Sequence, residues 1–428
     1  MISMTSYSIG KLRKTIIGGV LLTKLTCWGK LDVRTTGGIS MEYLGLDETV
    51  LKEKGGYFAA TEIERQPQLW KELVQQVKEN TTKIESFFND FDLNNTKIYL
   101  VGAGSSALAA SIVENTLKKN LNLDVETVYS TKLILQPEVY FNIDQPILMV
   151  SFGSSGSTPE SVEAVRLAQA MCKDLKQMFV LCVDNGILVN EYMNDKTLYI
   201  PLPKNTKGKS FAATAEFTCL ILQALAIFDI KHIDDYIEFG HIAQEQAGDI
   251  FKNKMDMIQE IASLDTISMT TVGSLEFEHL AAETALKAVE LTGGKFLSNF
   301  NSSIEYRHGP KLIMNSPVLC MHYLYPDMYV SNYDIDMMNE VATDRLKGIV
   351  VGIGFHTPKE CDVQTKYYFQ LKKEEVINNH PVLGVLLYAL IMQSLIVHIS
   401  LKHGVKADWP STDDQVPKVA NRVKIYTK

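Results

Sequence analysis

Two stretches of the chain, 171 positions apart (273 minus 102), share one arrangement: a largely apolar run stops at a glycine and gives way to a helix-forming segment. In the first, Lys97-Ile-Tyr-Leu-Val101 ends at Gly102 and runs through Ala-Gly-Ser-Ser106 into the alanine-rich stretch Ala107 to Lys118. In the second, Thr266 to Val272 ends at Gly273 and leads into a helical pattern from Leu275 to about Leu291. A strand apolar on both faces needs cover on both faces, which parallel sheets receive from crossover helices. The alternation continues around both copies. Asp124–Tyr129, Ile147–Val150 and Met178–Val183 read as strands, with helices at Glu160–Cys172 and Ser210–Phe228; Val318–Tyr323 and Gly348–Gly352 are strands, and Val382–Leu401 is an apolar closing helix. Strands alternating with helices of this length specify βαβ units. The fold class is α/β, with two tandem doubly wound parallel-sheet domains and flanking helices.

The boundaries follow from the pattern. Residues 41–95 form an N-terminal helical arm, since apolar positions recur at three- and four-residue spacing from Thr61 to Phe91. Residues 96–233 form the first domain, 234–263 a helical connector, 264–405 the second domain and 406–428 a C-terminal tail. Residues 1–40 read as a non-native or disordered extension without function, because the well-patterned sequence starts at a second methionine, Met41.

Composition narrows the function. The 42 Lys and Arg against 50 Asp and Glu give a net charge of −8, with no clustered cations for nucleic acid. The six cysteines have neither C-x-x-C nor zinc-type spacing, which fits a reducing cytoplasm. No apolar run of ~18 residues is evident, so no membrane is expected. The histidines show no metal spacing, so no metal and no cofactor is assigned.

Two loops carry the chemistry. Ser151-Phe-Gly-Ser-Ser-Gly-Ser-Thr158 follows a strand and precedes Pro159, which opens a helix. At that junction unpaired N–H groups and the positive helix end converge on one crevice. Ser154, Ser155 and Thr158 add neutral hydroxyl donors suited to a phosphate monoester. A plain helix start accounts for the loop equally well, with Ser157 and Glu160 at capping-box spacing. Ser105 and Ser106 at the end of the other strand favour one shared anionic pocket. Neither loop has the lysine of a P-loop, the third glycine of a dinucleotide site, or the spacing of a nucleophile elbow.

In the second half Glu283, Lys287 and Glu290 stand at i, i+4 and i+7, within about 60° on one helical face. A solvated Glu–Lys–Glu stripe would read the same way. Downstream, Glu305-Tyr-Arg-His308-Gly-Pro310 places a histidine in a charged turn.

Taken in order, G-A-G-S-S at 102–106, S-F-G-S-S-G-S-T-P-E-S at 151–161, A-L-K-A-V-E-L-T at 285–292 and E-Y-R-H-G-P at 305–310 resemble the sugar isomerase (SIS) family. Tyr43-Leu-Gly-Leu-Asp47, Lys54-Gly-Gly-Tyr57 and Leu291-Thr-Gly-Gly-Lys295 are similar to its branch of galactosamine-6-phosphate deaminase/isomerases, also called tagatose-6-phosphate ketose/aldose isomerases. The likeness runs from about Met41 to the end. By similarity to the isomerase half of glucosamine-6-phosphate synthase, Ser105, Ser106, Ser155 and Thr158 would hold the sugar phosphate. Gly153 replaces a phosphate-binding serine there, and Ser151 or Ser154 would compensate. Glu290 matches the proton-transfer glutamate and Lys287 the lysine beside it, with Glu283 in support. His308 matches a ring-opening histidine that comes from a neighbouring subunit, so a homodimer or homotetramer with shared active sites is implied. The synthase's glutaminase domain has no counterpart.

The resemblance therefore implies conversion of galactosamine 6-phosphate to tagatose 6-phosphate and ammonia, by aldose–ketose proton transfer and imine hydrolysis. A fructosamine-phosphate deglycase of the same fold is the alternative among enzymes. A non-catalytic sugar-phosphate-binding regulator is the alternative of another class, disfavoured by Glu290 and His308 and by the lack of a basic helix-turn-helix pattern in Thr61–Phe91.

Overall fold

A computed structural model describes residues 20–22, 33–35, 41–90, 92–411, 415–418 and 423–426, so the expectation for residues 1–40 lies almost wholly outside it. After a short helix, Glu48–Lys54, the periodic stretch of the arm forms three helices, α1 (Tyr57–Glu64), α2 (Gln66–Glu79) and α3 (Thr81–Asn89). The single periodic stretch breaks at Arg65 and Asn80, and Pro67 sits in the first turn of α2, where its missing N–H costs nothing. Leu69, Trp70, Leu73, Val74 and Val77 of α2 are buried.

The first sheet comprises β1 (Lys97–Gly102), β2 (Val125–Tyr129), β3 (Ile147–Gly153), β4 (Leu175–Leu181) and β5 (Thr197–Tyr199). Its order is β2-β1-β3-β4-β5, and every pairing is parallel. The accompanying helices are α4 (Ser105–Leu121), α5 (Pro159–Met171) and α6 (Ala215–Phe228). Alternation within β1 decides the layers: Ile98 and Leu100 join the core with α4 and α6, while Tyr99 and Val101 face Ala164, Val165 and Ala168 of α5. Helices α7 (Ile233–Asp249) and α8 (Met255–Ser263) lead to the second half.

The second sheet repeats the plan. Strands β6 (Ser268–Gly273), β7 (Leu297–Ser302), β8 (Val318–Tyr323), β9 (Ile349–Gly354) and β10 (Tyr367–Gln370) run parallel in the order β7-β6-β8-β9-β10. Its helices are α9 (Glu276–Leu291), α10 (Met328–Thr343) and α11 (Gly384–Lys402). Strand β6 starts and ends 171 positions after β1, α9 starts 171 after α4, and β8 starts 171 after β3 (318 minus 147). In both copies the glycine ending the first strand is forced by crowding. A Cβ would lie 2.7 Å from the Ser106 carbonyl carbon at Gly102, and 2.5 Å from the Phe277 oxygen at Gly273. Two residues on, Gly104 has φ +54° and its counterpart Leu275 has φ +55°. The turn keeps its shape even where a side chain must occupy the left-handed region.

The segment Pro381–Lys402 is long and apolar enough to cross a bilayer, contrary to the expectation that no apolar run reaches that length. It is instead wholly packed inside the protein, where it forms the centre of a core that reaches both sheets.

The two halves meet through equivalent helices, α4 and α9. They run antiparallel, since Asn115 Nδ2 of α4 donates to Glu276 Oε1 at the start of α9 (2.8 Å), and Lys287 Nζ of α9 donates to Ser105 Oγ at the start of α4 (2.8 Å). Adding 171 to Ser105 and Thr116 gives Glu276 and Lys287, and Thr116 Oγ1 donates to Glu276 Oε1 at 3.3 Å. One contact therefore occurs twice with its partners exchanged, at opposite ends of the helix pair. Only the Lys287 end carries the acid–base set, because the counterparts of Glu283, Lys287 and Glu290 are Ile112, Thr116 and Lys119.

Candidate active site

The Glu–Lys–Glu face of α9 is not a solvated stripe. The side chains of Glu283 and Lys287 are 0% exposed and that of Glu290 is 27% exposed. Lys287 Nζ lies 3.1 Å from Glu283 Oε1 and 2.5 Å from Glu290 Oε2, in addition to its bond to Ser105. The ammonium thus donates to Glu290 and, in the other half of the molecule, to Ser105, with Glu283 at ion-pair distance. Burial lowers the Lys287 pKa, but Glu283 and Glu290 outweigh it and hold it above the ordinary lysine value. Burial pushes the Glu283 carboxyl up to about 7, against the pull of Lys287. Glu290 is the member of the set that reaches a cavity.

That cavity, about 1170 Å³, lies at the C-terminal ends of the first sheet's strands and extends to the C-terminal end of α9. This is where open parallel sheets place their ligands. Ser105 and Ser106 line it from the first loop, and Gly153, Ser154, Ser155 and Thr158 from the second. Ser151 is buried one turn of the pleat back in β3 and does not line it. The capping box expected from Ser157 and Glu160 does not form. Thr158 is the N-cap residue, and its hydroxyl donates to Ser161 Oγ at 2.7 Å. Ser157 is drawn back into the loop, donating to the Ser155 carbonyl (3.2 Å) and accepting from the Ile187 amide (3.0 Å). The Ser154 hydroxyl is buried without a hydrogen-bond partner.

Two further walls were not legible as such. The segment read as the start of a helix, Ser210–Ala213, is a loop that puts Phe211 and Ala213 on the cavity, and α6 begins only at Ala215. Buried carboxylates hold this loop open. Glu62 accepts from the Lys209 amide and from the Ser210 amide (3.2 Å), and Glu216 from the amides of Gly208 (2.8 Å) and Thr214 (3.2 Å). The second wall is the C-terminal tail, where Trp409, Pro410 and Val416 line the same cavity. Asp408 fixes it by accepting from the amides of Phe58 (3.1 Å) and Ala59 (2.8 Å), and Lys418 Nζ donates to the Gly208 carbonyl at 2.6 Å. The only signals in the sequence are Gly208 and the isolated acids Glu62, Glu216 and Asp408.

His308 is not brought to this cavity. It is exposed at the end of a 3₁₀ turn, Glu305–His308, whose Tyr306 is buried edge-on to His322 with ring centroids 6.4 Å apart.

No family model matches the chain. A candidate D-galactosamine-6-phosphate deaminase AgaS of Streptomyces coelicolor is 30% identical over 306 residues, which cover 68% of this chain and 76% of that protein. The chain belongs to the AgaS family. D-galactosamine-6-phosphate deaminase AgaS of a Shewanella species aligns over 388 residues at 29% identity, 88% of this chain and 93% of that protein. Among solved structures, a candidate tagatose-6-phosphate ketose/aldose isomerase of Clostridium novyi is 28% identical with a TM-score of 0.87, covering 91% of this chain and 100% of its own. The C-terminal domain of glucosamine-fructose-6-phosphate aminotransferase from Francisella tularensis shares the fold, with a TM-score of 0.67 at 19% identity over 81% of this chain and 96% of that domain. The tandem α/β architecture of this AgaS-family chain is thus that of the SIS isomerases.

Proposed function

We propose that the protein is an amino-sugar phosphate deaminase/isomerase that converts galactosamine 6-phosphate and water to tagatose 6-phosphate and ammonia. The observation that carries this reading is Lys287, which ties Glu290 at the cavity wall to Ser105 of the serine loops, so that an acid–base pair and an anion cradle share one cleft. The names of the relatives supply the sugar.

In this reading the phosphate binds to Ser105, Ser106, Ser155, Thr158 and the amides at the start of α5. Its binding energy positions carbons 1 and 2, far from it, at Glu290. Glu290 removes the proton from carbon 2 of the open-chain amino aldehyde and returns it to carbon 1, which leaves the imine at carbon 2, a transfer contributing about 10²–10⁴-fold. Lys287 holds the carboxylate in place, and Glu283 balances the ammonium from below. Water then adds to carbon 2 and ammonia leaves. Ring opening needs a base at the carbon 1 hydroxyl and a donor at the ring oxygen. His308 fills that role from a second copy of the chain, because within one chain it lies away from the cavity. A homo-oligomer with shared sites follows.

The test is ammonia and ketose 6-phosphate production from galactosamine 6-phosphate and glucosamine 6-phosphate side by side. Faster turnover of the galacto epimer supports the reading, and no ammonia from either defeats it.

A further inference from the structure

Among the described residues three carboxylates line the cavity, and two of them are accounted for. Glu290 is paired with Lys287, and Glu216 accepts two backbone amides. The third is Glu160, in the first turn of α5 and two residues beyond Thr158. It is 5% exposed, and its Oε2 is buried without a hydrogen-bond partner. The capping box that would have used this side chain does not form, so its position at a helix start does not explain it. Counted from the helix starts, Pro159 and Met328, the corresponding residue of the second half is Tyr329, which is not a carboxylate. A buried carboxylate oxygen left unsatisfied is costly and wants a donor.

We propose that Glu160 is a specificity-determining residue that accepts a hydrogen bond from a substrate hydroxyl on the carbons next to the phosphate. This rests on the phosphosugar reading above. A phosphate dianion has no proton to donate and carries the same sign, so Glu160 does not bind the phosphate itself. Carbons 1 and 2 belong at Glu290, at the other end of the bound chain. What remains within reach of the helix that follows the phosphate loop is the hydroxyl-bearing segment at carbons 4 and 5. The neighbouring unpartnered Ser154 hydroxyl is free to complete the same contact. Glu160 thereby selects a polyol phosphate over phosphate alone.

Galactitol 6-phosphate and sorbitol 6-phosphate lack a carbonyl carbon and cannot turn over, so their affinities can be measured by calorimetry beside that of inorganic phosphate. The parent protein binds at least one of the two more tightly than inorganic phosphate. Glu160→Gln loses 10-fold or more of that margin, as expected for a hydrogen bond to a charged group, and keeps its inorganic phosphate affinity within twofold. Glu160→Ser, a shorter neutral side chain, behaves likewise and serves if the amide variant does not fold. Equal weakening of alditol phosphate and inorganic phosphate, no weakening of either, or no margin in the parent overturns the proposal. Because these ligands are inert, the outcome is readable even if no ammonia is released from any amino sugar, a result that would defeat the reaction instead.

Discussion

Replacing Lys287 with methionine tests whether the buried triad is held by charge or by shape. The two side chains have similar length and volume, so packing is largely kept and the ammonium alone is removed. Two carboxylates are then left side by side, one of them fully buried. Breaking a buried ion pair in this way costs about 3–5 kcal/mol. The pH dependence is sharper than the magnitude. Glu283 has a folded pKa raised to about 7 from an ordinary 4.5, so the parent loses stability from this group as pH rises from 4.5 to 7. Above 7 it is ionised in both folded and unfolded chains and contributes no further slope. Without Lys287 the folded pKa rises further. The variant then carries a neutral Glu283 when folded and an ionised one when unfolded, and it loses ~1.4 kcal/mol for each additional pH unit. Urea titrations of both proteins at pH 7 and pH 9 therefore give a stability gap that widens by about 2–3 kcal/mol over those two units. A gap that is large but constant from pH 7 to 9 would refute the electrostatic argument and assign Lys287 a packing role.

Replacing Ser155 and Thr158 with alanine raises KM and the inhibition constant of inorganic phosphate together, by about 10-fold or more per hydroxyl lost, with kcat little changed; a fall in kcat alone would move the phosphate elsewhere. Mixing inactive Glu290→Gln chains with inactive His308→Ala chains restores part of the activity, because a hybrid dimer holds one site with both residues intact. Hybrids detected by mass without activity would place His308 within its own chain. Leu275→Gly stabilises the fold by about 1 kcal/mol, since a 45% exposed side chain with φ +55° gives up little packing when the strain is removed; unchanged or lowered stability in thermal unfolding would show that the turn is not strained.

The parts of the fold that could be read from the sequence are those where local and global signals agree. Strand β8 was expected at Val318–Tyr323 and lies there, because a run that is apolar but for His322 is stable only in the centre of a sheet. The 171-residue repeat was visible at Gly102 and Gly273 for a steric reason: the chain turns so tightly after β1 and β6 that no Cβ fits. The edge strand β2 was expected at Asp124–Tyr129 and lies at Val125–Tyr129, whereas the edge strands β5, β7 and β10 were missed. Strand β5 has only three residues, and β7 is polar and largely exposed, so neither carries an apolar run. Helix α10 was also missed, its apolar residues being interspersed with Tyr, Ser, Asn and Asp.

The candidate site was legible as a list of residues but not as an environment. A Glu four positions before a Lys has the same spacing on a surface as in a core. The burial of Glu283 and Lys287 is decided by α4, which packs on α9 and offers Ser105 as a third partner. The loop before α6 was read as helix because the local pattern from Ser210 to Phe228 is helical. Glu62, about 150 residues earlier in the chain, takes the amides of Lys209 and Ser210 that a helix start would leave free. Such long-range capture of backbone amides by an acid has no periodic signature.

The central claim is that Glu290 moves a carbon-bound proton of a phosphosugar held in the serine-lined cleft. It is tested most directly by running the reaction on galactosamine 6-phosphate in D₂O and weighing the ketose 6-phosphate formed. The parent yields product carrying deuterium at carbon 1 wherever the proton held by Glu290 exchanges with solvent before its return. Glu290→Gln retains phosphate-ligand affinity within a few-fold and yields neither product nor exchange at carbon 2 of the substrate, since an amide cannot accept the proton. Deuterated product formed by Glu290→Gln at a rate near that of the parent would contradict the account.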